Sequence, residues 1–349
     1  MVDRDREAFR SNRCCSDAAR PVSQQVVILV LASRIEALRG LLLLLDARFR
    51  VIIHLDAKTD ASGLALPAHA SLTDVRFEVY WAGFSMFLAI REMIDTAYRV
   101  APGFRRAVML SGESLPLCPS DALEAVLLDE RREHIDLYEI PNDPGLRGLT
   151  MAEVQRQANG NIMAWRFQNA SYLDDALVSP RSHHEVMQKY GVSGHTADYL
   201  RGNAMKIADG ILARLPPRPA LYDRFYYGAS WWALTRAAID LVIDEMHAQA
   251  HVEYFRFLQA PDEHCIQTLL GNKQRALSSL GRQVVGTPVF VDHGDPQRGS
   301  FGRDALTAEK FRQAAGTGHL FARKFDPELT PDIAIAIVEG RYFSDIVGA

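Results

Sequence analysis

The sequence predicts an α/β domain built around a mostly parallel sheet, and three observations support this prediction. Short apolar runs of strand length alternate with stretches of helical periodicity between residues 25 and 140. The apolar runs are continuous, which is typical of strands that helices cover on both faces. Hydrophobic residues make up 48% of the 349 residues, so the chain can form a sizeable core.

The elements of the amino-terminal half are predicted from the positions of these runs. Residues 1–22 are charged and mixed, and we expect them to form a flexible tail before a single domain over residues 23–349. Strands are predicted at 25–32, 50–55, 75–80, 106–110 and 134–138, and helices at 35–47, 85–98 and 121–128.

The second half of the chain has a more varied pattern. Residues 141–225 are polar and mostly helical or irregular, and we expect an insertion that shapes the acceptor side of a binding site. Three prolines between 216 and 219 break any helix near the end of this segment. Beyond it, strands are predicted at 225–234 and 284–291, and helices at 236–248, 262–271, 307–315 and 331–339.

Charge and cysteine content exclude several classes of protein. The formal net charge is −4, which gives no overall field to hold nucleic acid, and we expect no nucleic-acid partner. The cysteines match neither a disulfide framework nor the spacing of a zinc site. They are Cys14, Cys15, Cys118 and Cys265. We therefore expect a reduced, cytoplasmic protein.

No transmembrane segment is predicted. The most apolar stretch, residues 26–45, is interrupted by Ser33, Arg34, Glu36 and Arg39. It has the pattern of a strand, a turn and a helix rather than the run of about 20 apolar residues that spans a bilayer. Peripheral association with the inner face of the membrane stays compatible with the sequence.

Polar or glycine-containing turns follow four successive predicted strands. In an open α/β sheet, ligands bind beyond the carboxyl ends of the strands, so these turns should converge on one crevice. The candidates there are Asp56, Trp81, Gly83, Ser111, Gly112 and Glu113. Structural alternatives stay open, because Asp56 also suits a helix N-cap, Trp81 a core position and Gly112 a tight turn.

Two carboxylates, Asp262 and Glu263, follow a proline at the predicted start of a helix. Helix N-termini favour negative charge, so matching of the helix dipole is one explanation and general-base chemistry is the other. Trp231 and Trp232 precede this motif and form an aromatic pair of the kind on which sugar rings stack.

Arg323 and Lys324 lie within the apolar run 320–325. Buried cations are unfavourable without an anionic partner, and a diphosphate is a natural one. Outward-facing charges on a surface turn are the alternative. The Asp-X-Asp motif at Asp3 and Asp5 lies in the tail, and no histidine-carboxylate cluster has metal-ligand spacing. We therefore expect no metal and no cofactor, with protein cations meeting the charge of a leaving group.

Taken in chain order, these motifs resemble the core-2/I-branching β-1,6-N-acetylglucosaminyltransferases, glycosyltransferase family 14, which also contains the peptide O-xylosyltransferases. The matching segments are 53–56 (IHLD) with Lys58, 81–85 (WAGFS), 110–117 (LSGESLPL), 227–234 (YGASWWAL), 261–263 (PDE) and 320–326 (LFARKFD). The segments 81–85 and 110–117 depart from the family's common forms, which are Trp-Gly-Gly and Ser-Gly-Ser/Thr-Asp. These departures leave the identity of the acceptor open.

The resemblance implies a Rossmann-like, metal-independent variant of the GT-A type of fold and an inverting reaction. It implies that Glu263 is the catalytic base, that Lys324 contacts the donor diphosphate and that Asp56 lies near the uridine. An upstream arginine, Arg298 or Arg303, would assist. The other donor-side candidates are Trp81, Gly83, Ser111, Gly112 and Arg323, and the acceptor-side candidates are Glu113, Trp231, Trp232 and Asp262, followed by Glu139, Trp165, Arg166 and Tyr222.

The expected partners are therefore a UDP-sugar donor and a glycan or glycoconjugate acceptor, with N-acetylglucosamine as the transferred sugar. A UDP-xylose-dependent xylosyltransferase is the alternative within the family. A nucleotide-sugar-binding protein without catalysis, or an α/β binding domain unrelated to sugars, is the alternative outside it.

Overall fold

The computed structural model describes residues 24–80, 83–140, 221–222, 224–256, 260–292 and 305–348. Within these ranges the protein is a mixed α/β structure with a mostly parallel central sheet, as the sequence predicts. Trp81, Trp165, Arg166, Arg298 and Arg303 lie outside the described residues, as does most of the predicted insertion.

The strands fall into one large and two small sheets. In chain order they are β1 Val26–Ala32, β2 Phe49–Leu55, β3 Ala70–Leu72, β4 Arg106–Ser111, β5 Leu115–Pro116, β6 Arg132–His134, β7 Tyr138–Ile140, β8 Phe225–Tyr227, β9 Ala233–Thr235, β10 Gln283–Val285, β11 Val289–Val291 and β12 Phe321–Arg323. The large sheet has the order β10-β6-β9-β4-β1-β2-β3, and the small ones are β11-β12-β5 and β7-β8.

The described helices connect and cover these strands. They are α1 Ile35–Leu44, α2 Phe84–Val100, α3 Ser120–Leu127, α4 Arg236–Asp240, α5 Ile243–His247, α6 Gln249–Arg256, α7 Cys265–Gly271, α8 Gln274–Ser279, α9 Ala308–Ala315 and α10 Pro331–Val338. A 3₁₀ turn spans Pro261–Glu263, and a π-helical turn spans Phe343–Val347. Among the described residues, no helix is both long enough and apolar enough to cross a membrane.

The register of the central strands aligns their carboxyl ends. β1 pairs in parallel with β2 and with β4, so Ala32 lies opposite Leu55 and Leu31 lies opposite Ser111. β4 is buried along its whole length, and helix α2 packs against β1 and β2 through an apolar stripe. The turns after β1, β2 and β4 therefore meet at one edge of the sheet, which we call the carboxyl edge.

The predicted strand at 75–80 is wrong, because the third strand is Ala70–Leu72. Residues 75–80 run beside the turn after β2, but side chains rather than a neighbouring strand accept their amide hydrogens. Phe77 N–H donates to His54 Nε2 at 3.0 Å, and Val79 N–H donates to Asp56 Oδ1 at 3.3 Å. An extended, apolar-rich segment thus forms without joining the sheet.

Four other predicted elements do not form as single elements. The predicted strands at 225–234 and 284–291 are each two short strands, and the second break lies at Pro288, which has no N–H for a ladder. The predicted helix at 236–248 is two short helices, α4 and α5, and 134–138 falls between β6 and β7. The remaining boundaries differ from the predicted ones by a few residues.

Candidate functional site

A group of charged side chains lies at the carboxyl edge, and we call it the ion cluster: Arg34, Glu113, Arg323, Lys324 and Asp326. Glu113 lies 4.0 Å from Arg34 Nη1, 3.6 Å from Arg323 Nη2 and 3.9 Å from Lys324 Nζ. Arg34 forms a two-pronged pair with Asp326, with Nη1···Oδ2 at 2.5 Å and Nη2···Oδ1 at 3.2 Å. Three separate parts of the chain, at residues 34, 113 and 323–326, therefore meet in the ion cluster.

The backbone explains why β12 delivers its cations to this edge. β12 pairs antiparallel with β5, which follows directly on the turn after β4. Beyond the strand, Phe325 N–H donates to the carbonyl oxygen of Glu113 at 2.7 Å. Glu113 is thus joined to the β12 segment through its main chain as well as its side chain.

Arg323 is the most enclosed cation of the ion cluster, with its side chain 15% exposed. Its Nε donates to Ser111 Oγ at 3.1 Å, and its guanidinium lies 4.6 Å from the centre of the Trp231 ring. Ser111 Oγ also lies 3.0 Å from Ser114 Oγ. These contacts fix the orientation of the guanidinium, and stacking on an indole is a favourable arrangement for arginine.

The loop 228–231 links the ion cluster to Glu263. Gly228 N–H donates to the carbonyl oxygen of Glu263 at 3.0 Å, and Ser230 Oγ donates to Asp262 Oδ2 at 2.6 Å. The same loop ends in Trp231, on which Arg323 lies. Helix α2, which begins directly after Gly83, packs against the 3₁₀ turn that carries Glu263.

Asp56 lies where the sequence predicts, directly after β2, and its carboxylate is buried and bound within the protein. Oδ1 accepts the N–H groups of Lys58 and Val79, and Oδ2 pairs with Lys58 Nζ at 3.0 Å. The bond to the N–H two residues later is an Asx turn, so the helix N-cap considered for Asp56 is wrong. Arg76 braces the same turn by donating to the carbonyl oxygens of Leu55, Asp56 and Thr59.

The structure gives Gly112 a packing role. Its amide donates to Leu31 O at 2.8 Å, and a Cβ at this position would lie 2.9 Å from Ala32 Cβ. The amide therefore belongs to the sheet, and the glycine permits close approach of two strand ends. Gly83 lies at the N-cap position of α2.

The environments of Trp231 and Trp232 differ from the open aromatic platform that the sequence predicts. Trp232 is fully buried in the core, so its ring offers no face to a sugar. Trp231 is 8% exposed and contacts Arg323. Successive residues near a strand point to opposite sides, and the sequence does not show which side is open.

Two acceptor-side candidates lie near the β7-β8 sheet. Glu139 pairs with Arg224 at 3.1 Å, and the buried Tyr222 places its hydroxyl against His251 Nδ1. Asp136, two residues before β7, accepts the N–H of Thr287 at 2.9 Å and that of Ala229 at 3.4 Å. The bond from Ala229 therefore ties the loop 228–231 to Asp136.

Sequence reasoning missed Arg34 and Asp326 as members of the ion cluster. Their pairing joins positions separated by 292 residues, which no local pattern reveals. The hydrogen bond from Arg34 lowers the pKa of the Asp326 carboxyl below its usual value, and the same bond raises the pKa of Arg34. Arg34 lies in the turn after the first strand, which is one of the four turns predicted to converge on one crevice, but the sequence indicates no anionic partner for it.

No protein-family model matches the chain, and no curated protein matches it significantly. In the part of the chain that the structure describes, no group of three histidine, cysteine or carboxylate side chains is arranged to hold a metal ion.

Proposed function

We propose that the protein is an inverting glycosyltransferase of the metal-independent GT-A-like type, which transfers a sugar from a UDP-sugar to a hydroxyl group of a glycan. One observation carries the proposal: the ion cluster lies at the carboxyl edge of a parallel sheet and is tied through the loop 228–231 to Glu263. The carboxyl edge is where open α/β sheets bind their ligands.

In this proposal the cations stabilise the leaving group. As the bond between the anomeric carbon and the β-phosphate oxygen breaks, UDP departs with the electron pair and negative charge builds on the diphosphate. Arg323 and Lys324, assisted by Arg34, meet that charge with oriented donors in a partly buried site.

Glu263 acts on the acceptor. The acceptor hydroxyl oxygen attacks the anomeric carbon from the face opposite UDP, and the Glu263 carboxylate takes the hydroxyl proton. General-base assistance of this kind typically contributes about 10²–10⁴-fold in rate. N-acetylglucosamine is the sugar that the family resemblance favours, and Asp56 with its Lys58 and Val79 contacts would shape the uridine side.

Donor binding is tested by the thermal stability of the protein with UDP, UDP-N-acetylglucosamine and UDP-xylose, each with EDTA. A ligand at about 100 times its Kd should stabilise the fold by about 2.7 kcal/mol. We expect a shift that survives EDTA and is largest for UDP-N-acetylglucosamine. A larger shift with UDP-xylose would point to a xylosyltransferase, and no shift with any of the three would refute the donor site.

Catalysis is tested by Glu263→Gln, measured as UDP release from UDP-N-acetylglucosamine with a panel of glycan acceptors. We expect turnover to fall about 10²–10⁴-fold while the Kd for UDP stays within about threefold. Glu309→Gln, the same change at an exposed position on α9, is the matched control and should keep the wild-type rate. A wild-type rate in Glu263→Gln would exclude Glu263 as the base. Donor binding without any turnover in the wild type would indicate a binding protein.

A further inference from the structure

Glu113 is the one carboxylate of the ion cluster that contacts all three cations. Its carboxylate lies 3.6 to 4.0 Å from the nearest nitrogens of Arg34, Arg323 and Lys324. These separations exceed the usual length of a hydrogen bond, so the contacts are Coulombic rather than tightly directional. Asp326, in contrast, is engaged by Arg34 in a two-pronged pair.

Within the ion cluster, three cations lie close to two carboxylates, those of Glu113 and Asp326. The side chains of Glu113, Arg323 and Lys324 are 22%, 15% and 17% exposed, so water and salt screen them less than they screen a surface pair. Without Glu113, three like charges would repel one another within this small volume.

We propose that Glu113 is an internal counter-ion of the donor site, which offsets the charge of the three cations before the nucleotide binds and gives them up to the diphosphate when it does. This inference rests on the proposed function. A diphosphate carries more negative charge and more acceptor oxygens than one carboxylate, so it takes over the cations. The charge of Glu113 then opposes the bound diphosphate, which weakens nucleotide binding and favours the release of UDP.

The main chain of Glu113 makes this exchange feasible. Its carbonyl oxygen is bound by Phe325 N–H, so the side chain can change from one staggered rotamer to another without displacing the backbone. The two arginines are also held by contacts that do not involve Glu113, since Arg323 binds Ser111 and stacks on Trp231, and Arg34 binds Asp326. Removing the carboxylate charge should therefore leave these two cations in position.

The test is the Kd of UDP and of UDP-N-acetylglucosamine, measured by titration calorimetry for the wild type and Glu113→Gln. We expect Glu113→Gln to bind UDP about tenfold more tightly, because one repelling charge near the diphosphate is lost. The gain should shrink at high salt. A residue that only positions the cations would give weaker binding when it is replaced, so the direction of the change separates the two roles.

Two control variants accompany the measurement on Glu113→Gln. Glu113→Asp keeps the charge and should stay within about threefold of the wild-type Kd. Glu130→Gln removes one charge from a comparable pair of arginines, Arg105 and Arg282, which Glu130 contacts at 2.5 and 3.1 Å. Arg105 directly precedes β4 whereas Glu113 follows it, so this control lies at the opposite edge of the sheet and should leave UDP binding unchanged.

The outcomes separate this inference from the proposed function. If the wild type binds UDP and a folded Glu113→Gln binds it equally or more weakly, the counter-ion role is overturned and the donor site stands. If the folded wild type binds no uridine nucleotide, the proposed function and the inference fall together. If Glu113→Gln does not fold, Glu113→Ala is judged by the same criterion, and failure of both to fold would show that Glu113 is needed for structure instead.

Discussion

At the scale of single residues, Gly228 in the loop beside Glu263 has no room for a Cβ. A Cβ built there would lie 2.3 Å from the carbonyl oxygen of Asp136 and 2.6 Å from its Cβ. Neither atom is the mobile end of a side chain, so the backbone itself would have to shift. The amide of Gly228 meanwhile binds the carbonyl oxygen of Glu263.

We therefore expect Gly228→Ala to lower the free energy of unfolding by about 1–3 kcal/mol, the usual range for overpacking, and to reduce turnover by displacing the turn that carries Glu263. Urea denaturation measures the first effect, and UDP release measures the second. Gly103→Ala is the matched control, because a Cβ there meets no atom within 4 Å. Equal stability of the two variants would contradict the close packing at Gly228.

The residues of the site were only partly predictable. A pair of cations inside an apolar run indicated an anionic partner, and the structure supplies the carboxylate of Glu113. Glu113 itself was expected on the acceptor side, because sequence spacing does not show that β12 returns to the turn after β4. Asp56 was located correctly by the rule on strand ends, but its ties to Lys58 and Val79 depend on where a later segment runs.

At the scale of elements, the segment 75–80 shows how a side chain can replace a strand partner. His54 is buried, its ring stacks on Phe77, and its Nε2 accepts the Phe77 N–H. That nitrogen can accept only while it carries no proton. Burial lowers the pKa of His54 to about 4, and burial lowers the pKa of His134 to about 4 as well.

The consequence for stability follows from the sign of these shifts. Between pH 4 and the unfolded value of about 6.5, the unfolded chain binds more protons than the folded one. The free energy of unfolding is therefore highest above about pH 6.5 and falls as the pH drops toward 4. We expect a loss of roughly 2 kcal/mol per buried histidine between pH 7 and pH 5, measured by urea denaturation.

His54→Gln should remove about half of this pH dependence, because glutamine accepts a hydrogen bond but does not titrate. If His54→Gln kept the wild-type pH dependence, the neutral, buried state of His54 would not be what stabilises the segment 75–80.

At the scale of the whole molecule, the central sheet joins two parallel groups of strands through β9. The strands β4, β1, β2 and β3 run parallel on one side, β6 and β10 run parallel on the other, and β9 is antiparallel to both of its neighbours. The sequence predicts the parallel character of the sheet, because continuous apolar strands alternate with helices. It does not predict the place of β9, which pairs with β4 across more than 120 residues.

A buried ion pair lies at this junction. Arg106 and Glu133 are both fully buried, with Nη1 3.9 Å from Oε2. Glu133 accepts the amide and hydroxyl of Thr235 at 2.8 and 2.5 Å, which ties β6 to β9. The Arg106 guanidinium donates to four main-chain carbonyl oxygens, those of Leu127, Asp129, Arg132 and Ala233. These two side chains thus hold β4, β6 and β9 together.

Arg106→Met should lower the free energy of unfolding by about 3–5 kcal/mol, since it leaves a buried carboxylate with less compensation and four carbonyls without their donor. Arg282, 4.0 Å from Glu133 Oε1, provides part of the remaining compensation.

Adding Glu133→Gln removes the charge that Arg106 compensated, so the double variant should lose about 1–3 kcal/mol less than the sum of the two single losses. Urea denaturation of the wild type, the two single variants and the double variant measures this coupling. As a control, Arg131→Met at an exposed position should change the free energy of unfolding by less than about 0.5 kcal/mol. Additive losses would mean that the two side chains stabilise their strands independently, Arg106 through its carbonyl contacts and Glu133 through Thr235.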